Sequence, residues 1–367
     1  MEIARALPYM RFVMIGSPRD LYIRDRLMRE RPNNLSYLGA VSNRSKVALI
    51  RLSSAGITTS KYEGFGLIPL EFLLAGKPVL TYPLPTFHEL YGDLLVYANN
   101  IPEFIEQLSE LRRKRFKVKI DESKIALLRT QWNISQATWR IIRLLNIKSA
   151  VVFSEDYEKN SSTIFGCDLV NWKIWRQIRD RGVQMQVLAS GVKYSEAFHM
   201  EPQTTQIGRR VAFLRRIRIS MNKNSSLVSE RGLRSDTPQW SSDMRGAAKI
   251  LDVLLCIAEP LSYVLGYMRN KRRIRASDIV TCNSRSAITA GIIVKCLFRS
   301  RLICVIHDTG FYDIELPNSS FPWKVYFTMF SRCLRYVDRI ITVSQKTQND
   351  LSRFCDSNRI ILLWGRS

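Results

Sequence analysis

The residues best placed to do chemistry lie between Glu63 and Val79. The string reads Glu63-Gly64-Phe65-Gly66-Leu67-Ile68-Pro69-Leu70-Glu71 and continues to Ala75-Gly76-Lys77-Pro78-Val79. Gly56 to Thr59 reads as a strand leading into it. Pro69 falls where a helix starts, because its missing N–H costs nothing in a first turn. Gly76 closes a short helix over Pro69 to Ala75. Lys77-Pro78 then leads into a strand over Pro78 to Tyr82. A glycine loop feeding a helix N-terminus offers backbone N–H groups and a positive dipole end, so it can hold phosphate or sugar oxygens. Glu71 falls in the first turns of that helix. Its carboxylate can face the same cleft and accept hydrogen bonds from hydroxyls. The competing reading is two solvated glutamates flanking a structural glycine turn.

These residues need elements to position them. Apolar runs alternate with helical periods along the chain, which predicts parallel sheets. Strands are expected at Arg11 to Ile15, ending in Gly16, and at Leu35 to Leu38. Helices are expected at Leu21 to Arg29, Val47 to Leu52, Ile101 to Arg112 and Ile125 to Leu145. A second series starts with a strand at Ala150 to Phe153. It continues with a helix at Val170 to Arg181 and strands at Val183 to Ala189 and Val211 to Leu214. Asn222 to Ser242 is rich in Ser, Asn and Arg and reads as a surface loop. Ala247 to Met268 is the most apolar long stretch. It contains Lys249, Asp252, Glu259 and Pro260, so it reads as a buried helix pair and not a membrane span. Strands follow at Ile279 to Cys282, Leu302 to Ile306, Arg339 to Val343 and Ile360 to Leu363. Helices are expected at Ala287 to Leu297, Tyr326 to Leu334 and Lys346 to Phe354. The expectation is an α/β protein of two Rossmann-like units, 1–148 and 149–367.

The chain has 367 residues, with 56 Lys and Arg against 32 Asp and Glu, a formal net charge of +24. The surplus is +10 in residues 1–148 and +14 in the remainder. Such a surplus predicts anionic partners: nucleic acid, anionic lipid or phosphorylated substrates. Nucleic acid is the less expected of these, as its usual aromatic and zinc signatures are missing. The seven cysteines show no Cys-x-x-Cys spacing. That argues against a zinc ribbon or a disulfide framework and for small buried thiols in a reducing, cytoplasmic setting. Three histidines make a multi-histidine metal site improbable. Glu2 and Arg5 leave no apolar h-region for a signal peptide.

The string from Glu63 to Val79 resembles the family 4 retaining glycosyltransferases of the GT-B fold. The resemblance rests on paired glutamates with seven residues between, around Gly-Phe-Gly-Leu, and on the Ala-Gly-Lys-Pro-Val turn. Phe12 to Gly16, Asn34 to Gly39 and Glu89 to Asp93 resemble the nucleotide-binding C-terminal unit of that family. Residues from Ala150 onward resemble its N-terminal unit, with His307-Asp308 after the strand Leu302 to Ile306. The resemblance implies transfer of a sugar from a nucleotide diphosphate sugar to an acceptor hydroxyl, with retention. Glu71 would hold the ribose hydroxyls. Glu63, Gly64, Phe65, Gly66 and Leu67 would line the donor sugar. Gly16 would lie with the nucleotide, Gly166 would give room near the diphosphate or acceptor, and His307 would sit across the cleft at the sugar. No metal or other cofactor is implied. A structural histidine at 307, an ordinary loop glycine at 166 and a cap at Asp308 are the plainer alternatives.

The order of the units is inverted relative to the family, where the His-bearing unit comes first. The first unit also resembles one that lacks its initial strand and the Lys/Arg pair that supports the diphosphate. Its sheet is therefore expected to have an open edge or a gap. A truncated tandem protein is expected ahead of a permuted one, and a catalytically silent scaffold is the alternative function. The basic runs Arg112-Arg113-Lys114-Arg115, Arg209-Arg210, Arg215-Arg216 and Lys271-Arg272-Arg273 suggest peripheral contact with an anionic membrane. Such a membrane would carry a lipid-linked acceptor; a polysaccharide is the other acceptor class.

Overall fold

Short runs of Val, Ile and Leu bounded by Gly, Pro or Asn make buried parallel strands, and the amphipathic stretches between them make the crossover helices. A computed structural model describes residues 1–16, 21–118, 121–131, 133–154, 174–189, 240–271, 278–282, 285–310 and 321–363. The chain divides into two compact units. Met1–Asn133 make the bulk of the first and Ile134–Val343 the bulk of the second.

In the first unit the elements run α1 (Glu2–Ala6), β1 (Phe12–Met14), α2 (Leu21–Glu30), β2 (Leu35–Tyr37), α3 (Asn43–Leu52) and β3 (Gly56–Thr58). They continue with α4 (Leu67–Leu74), β4 (Val79–Thr81), α5 (Pro85–Tyr91), β5 (Val96–Tyr97), α6 (Ile101–Arg113) and α7 (Glu122–Gln131). The strands are parallel but fall into two sheets, β1-β2 and β3-β4-β5. One apolar cluster serves both. Ile3 and Leu7 of α1 pack with Leu80, Phe104 and Leu108, and Phe12 of β1 and Ile57 of β3 lean on the same cluster. The side-chain amide of Asn34 lies within 2.8–2.9 Å of the carbonyls of Ala4, Leu7 and Met10, tying α1 to the start of β1.

Local chemistry explains where these elements depart from expectation. Helix α3 begins at Asn43, not Val47, because the Ser42 hydroxyl accepts the Ser45 N–H at 3.1 Å and caps it. The helical region from Ile125 to Leu145 is two helices interrupted around Asn133. Helix α5 and strand β5 were not anticipated. Both are shorter than the windows in which periodicity shows.

The second unit runs α8 (Ile134–Leu145), β6 (Ser149–Ser154), α9 (174–180), β7 (Gln184–Ala189), α10 (Trp240–Asn270) and β8 (Asp278–Cys282). It continues with α11 (Arg285–Phe298), β9 (Arg301–Ile306), α12 (Phe321–Cys333), β10 (Arg339–Thr342), α13 (Gln345–Leu351) and β11 (Ile360–Leu362). Its strands form one parallel sheet in the order β11-β10-β9-β8-β6-β7. Helix α8 packs here. Thr138 donates to Gln177 at 3.2 Å, Arg181 donates to Ser135 at 2.8 Å, and the Arg181 guanidinium covers the Trp139 ring. The division between units therefore falls near Asn133, whereas the sequence reading put it after residue 148.

The stretch read as a helix pair is one helix, α10, with Pro260 inside it. Leu255, Tyr263, Val264 and Tyr267 bury on both sides of the proline, and that packing carries the helix through it. Trp240 to Ser242, expected in a loop, begin this helix. The rest of that loop, the expected strand at Val211 to Leu214 and the start of the helix at Val170 lie outside the described residues. At the amino ends of the sheet strands, Arg301 forks onto the buried Asp278 at 2.7 and 2.8 Å. Asp338 accepts the Leu302 N–H and pairs with Lys295. Among the described residues no helix is long and apolar enough to cross a membrane, and five cysteines are free thiols.

Candidate functional site

The loop between β3 and α4 is shaped by its glycines. Gly66 caps α4 at φ +81°, a left-handed conformation, and supplies no side-chain cap. A Cβ on Gly66 would overlap the Phe87 ring, so both backbone and packing call for glycine there. The helix starts at Leu67, two residues earlier than expected. Pro69 takes the third helical position, still within the turn where its missing N–H is harmless. The helix N-terminus thus brings half-buried Leu67 and exposed Ile68 beside buried Gly64 and Gly66.

Helix α5 holds this loop from behind. Thr86, fully buried, donates its hydroxyl to the Glu63 carbonyl at 2.8 Å. Tyr91 donates to the Gly66 carbonyl at 2.8 Å and lies 3.3 Å from that of Phe65. Burial, with the Glu63 carboxylate adding to it, pushes the Tyr91 hydroxyl well above its ordinary pKa. It therefore stays a donor across the physiological range. Glu63, Phe65, Leu67 and Glu71 are all partly exposed along the loop and first turns. The Glu71 carboxylate meets Lys46 of α3, Nζ to Oε1 at 2.5 Å, with about a third of each side chain exposed (29% and 34%).

Glu63, Gly64, Phe65, Gly66, Leu67 and Glu71 thus form one continuous feature. Gly16 stands apart from it on the other sheet, exposed in the turn after β1 at φ +116°. Its N–H donates to Gly39 and its carbonyl accepts from Tyr37, each at 2.8 Å. His88 and Glu89 lie on α5. His88 is exposed and stacks on Tyr97 with ring centroids 4.2 Å apart. Gly166 lies outside the described residues.

His307 belongs to the second unit, directly after β9. It is buried to 6% exposure, and burial pushes its pKa down to about 4, so the ring is neutral at pH 7. Its carbonyl accepts from the Thr347 hydroxyl at 3.3 Å. Asp308 accepts the Gly310 N–H at 2.9 Å, a local turn contact of the kind expected of a cap. Among the described residues no group of three or more His, Cys, Asp or Glu could hold a metal ion.

Sequence reasoning missed four residues of the site: Lys46, Thr86, Phe87 and Tyr91. Pro85 at the first position of α5 and Gly92 just past its end, at φ +52°, were the available signals for the helix that carries three of them. Nothing local marks Lys46 as the partner of a residue 25 positions away.

Comparison with known proteins finds a family match in each unit. Residues 2–119 match the family model of Glycosyl transferases group 1, and residues 227–363 match that of Glycosyltransferase Family 4. No curated protein matches the chain. Among solved structures, one titled "Crystal structure of the GsuK bound to ADP" is 8% identical, covering 89% of this chain and 70% of its own, with a TM-score of 0.25. Two glycosyltransferase family models, matched on an α/β protein of parallel sheets, support a glycosyltransferase of the GT-B kind.

Proposed function

We propose that the chain serves transfer of a sugar, with retention, from a nucleotide diphosphate sugar to an acceptor hydroxyl. The observation that carries this reading is the Glu63-to-Glu71 feature. A left-handed glycine opens a helix N-terminus, and a partly exposed carboxylate stands directly after the first turn. Helix N-termini favour anions, and carboxylates accept from sugar hydroxyls. In this reading Glu71 holds the ribose, and Glu63 with Gly64 to Leu67 lines the donor sugar. Gly16 lies with the nucleotide and Gly166 near the diphosphate or acceptor. His307 contacts the sugar as a neutral ring, which its burial supports. The helix dipole and basic side chains do the phosphate work, without a metal. The unit that resembles the family's second half precedes the one that resembles its first.

Loss of a carboxylate–hydroxyl contact costs about 1.5–3 kcal/mol, roughly ten- to hundredfold in affinity. Calorimetric titration of the chain and of Glu71→Ala with nucleotide diphosphates tests the assignment. Equal binding by both removes it.

The acceptor we propose is lipid-linked, met at an anionic membrane. The charge of +24, distributed over both halves, supports this. Each basic residue near such a surface contributes about 1 kcal/mol, and salt screens it. Sedimentation with neutral and anionic vesicles across a salt series should show binding to the anionic ones alone, weakening with salt. Binding that ignores lipid charge removes the charge-driven attachment proposed here.

A further inference from the structure

We propose that Lys46 is a positioning residue of the candidate site, holding the Glu71 carboxylate in the orientation that accepts ribose hydroxyls. The inference rests on the reading of Glu71 given above.

Lys46 is the fourth residue of α3. Its N–H bonds the Ser42 carbonyl at 2.8 Å, and the Ser42 and Ser45 hydroxyls lie 2.9 Å apart, so the turn that carries it is fixed. Helix α3 runs into β3 and α4 runs out of it. The start of α3 and the start of α4 therefore lie at the same end of the strand, its carboxyl end, where open α/β sheets take their ligands. The 2.5 Å contact between Lys46 Nζ and Glu71 Oε1 joins these two helix starts.

A carboxylate offers about four lone-pair sites. Among the described residues, the contact shown at Glu71 is Lys46 on Oε1, which leaves Oε2 available to a hydroxyl. Glutamate has three side-chain torsions, and an unheld one must be ordered when ligand arrives. Lys46 orders it beforehand.

A salt bridge that merely clamps α3 to α4 would look the same in the free protein. The two roles separate on ligands with and without ribose hydroxyls. A clamp matters equally to both, whereas a positioning residue matters only where Glu71 has hydroxyls to receive.

The test is calorimetric titration of the full chain with ADP, GDP and UDP, then with the 2′,3′-dideoxy form of whichever binds best. Lys46→Met should weaken the ribonucleotide about two- to fivefold, the span of a partly exposed ion pair, and leave the dideoxy form unchanged. Lys46→Arg should restore most of the loss. In a Glu71→Gln background Lys46→Met should have no further effect. Should Lys46→Met unfold, Lys46→Gln carries the same comparison. Wild-type affinity in Lys46→Met, or equal losses on both nucleotide forms, overturns the proposal while a weakened Glu71→Gln leaves the site reading intact. If Glu71→Gln binds like wild type, or the wild type binds no nucleotide, the site reading itself falls and this proposal with it.

Discussion

Among the described residues, the second unit keeps six strands in one parallel sheet, while the first divides five strands between two. In the second, the inner strands are shielded on both faces: Val151, Ile279, Val280, Leu302, Ile303 and Ile340 are at most 1% exposed. In the first, Val13 and Met14 of β1 stay 54% and 39% exposed on opposite faces. A parallel strand is stable when helices cover both its faces and neighbours take both its edges. The second unit meets those conditions. The first replaces sheet continuity with tertiary ties: Asn34 on three carbonyls, the cluster around Leu80 and Phe104, and the grip of α5 on the Glu63–Gly66 loop. A site built on such ties depends on a few residues, where a continuous sheet spreads the load over many.

The largest test of that contrast is Gly66→Ala. The new Cβ adds left-handed strain and overlaps Phe87, so we expect the first unit to lose about 2–5 kcal/mol. Urea titration should show two transitions, with the variant moving only the earlier one. Hydrogen exchange at Leu70 and Leu73 assigns that transition to the first unit. A variant as stable as wild type would break the claim that this loop depends on α5.

Next in size is the pH response of the second unit. The folded pKa of His307 is about 4, against an ordinary value near 6.5. Between these values the unfolded chain takes up a proton that the fold refuses. Stability is therefore full above about pH 6.5 and falls as pH drops toward 4, by up to about 3 kcal/mol. His307→Gln should flatten that slope in the later transition. An unchanged slope in the variant removes His307 as its source.

The smallest effect is expected at Gly291 in α11. A Cβ there would come 2.7 Å from a Leu302 methyl, the far end of a flexible side chain, and 3.0 Å from the Thr281 methyl, with no left-handed φ to oppose it. The helix gains about 1 kcal/mol from Gly→Ala, and that offsets the crowding. Gly291→Ala should stay within about 1 kcal/mol of wild type in the same titration. A loss as large as that of Gly66→Ala would mean that the two units tolerate crowding alike.

Much of the fold was legible in the sequence. Buried strands such as Leu302 to Ile306 are unbroken apolar runs, and Gly76 and Gly182 mark helix ends at positive φ. The Glu63–Glu71 string was legible for the same reason: its glycines, proline and carboxylates act through local backbone geometry. Elements with weak local signals were not. Helix α5 has seven residues and no repeating apolar face, and Pro260 reads as a break although α10 passes through it.

What the sequence determined by itself was therefore most of the strands and crossover helices and the residue string gathered at the start of α4. Hydrophobic periodicity and turn residues express themselves over a few positions, so one chain suffices to read them. Only the tertiary structure decided that, among the described residues, five strands part into two sheets while six stay in one. It also decided that Thr86 and Tyr91 anchor the loop and that Lys46 meets Glu71. Those outcomes join residues about 25 positions apart or more. They depend on which surfaces bury together, a competition settled by packing and desolvation across the whole unit and not by any local preference.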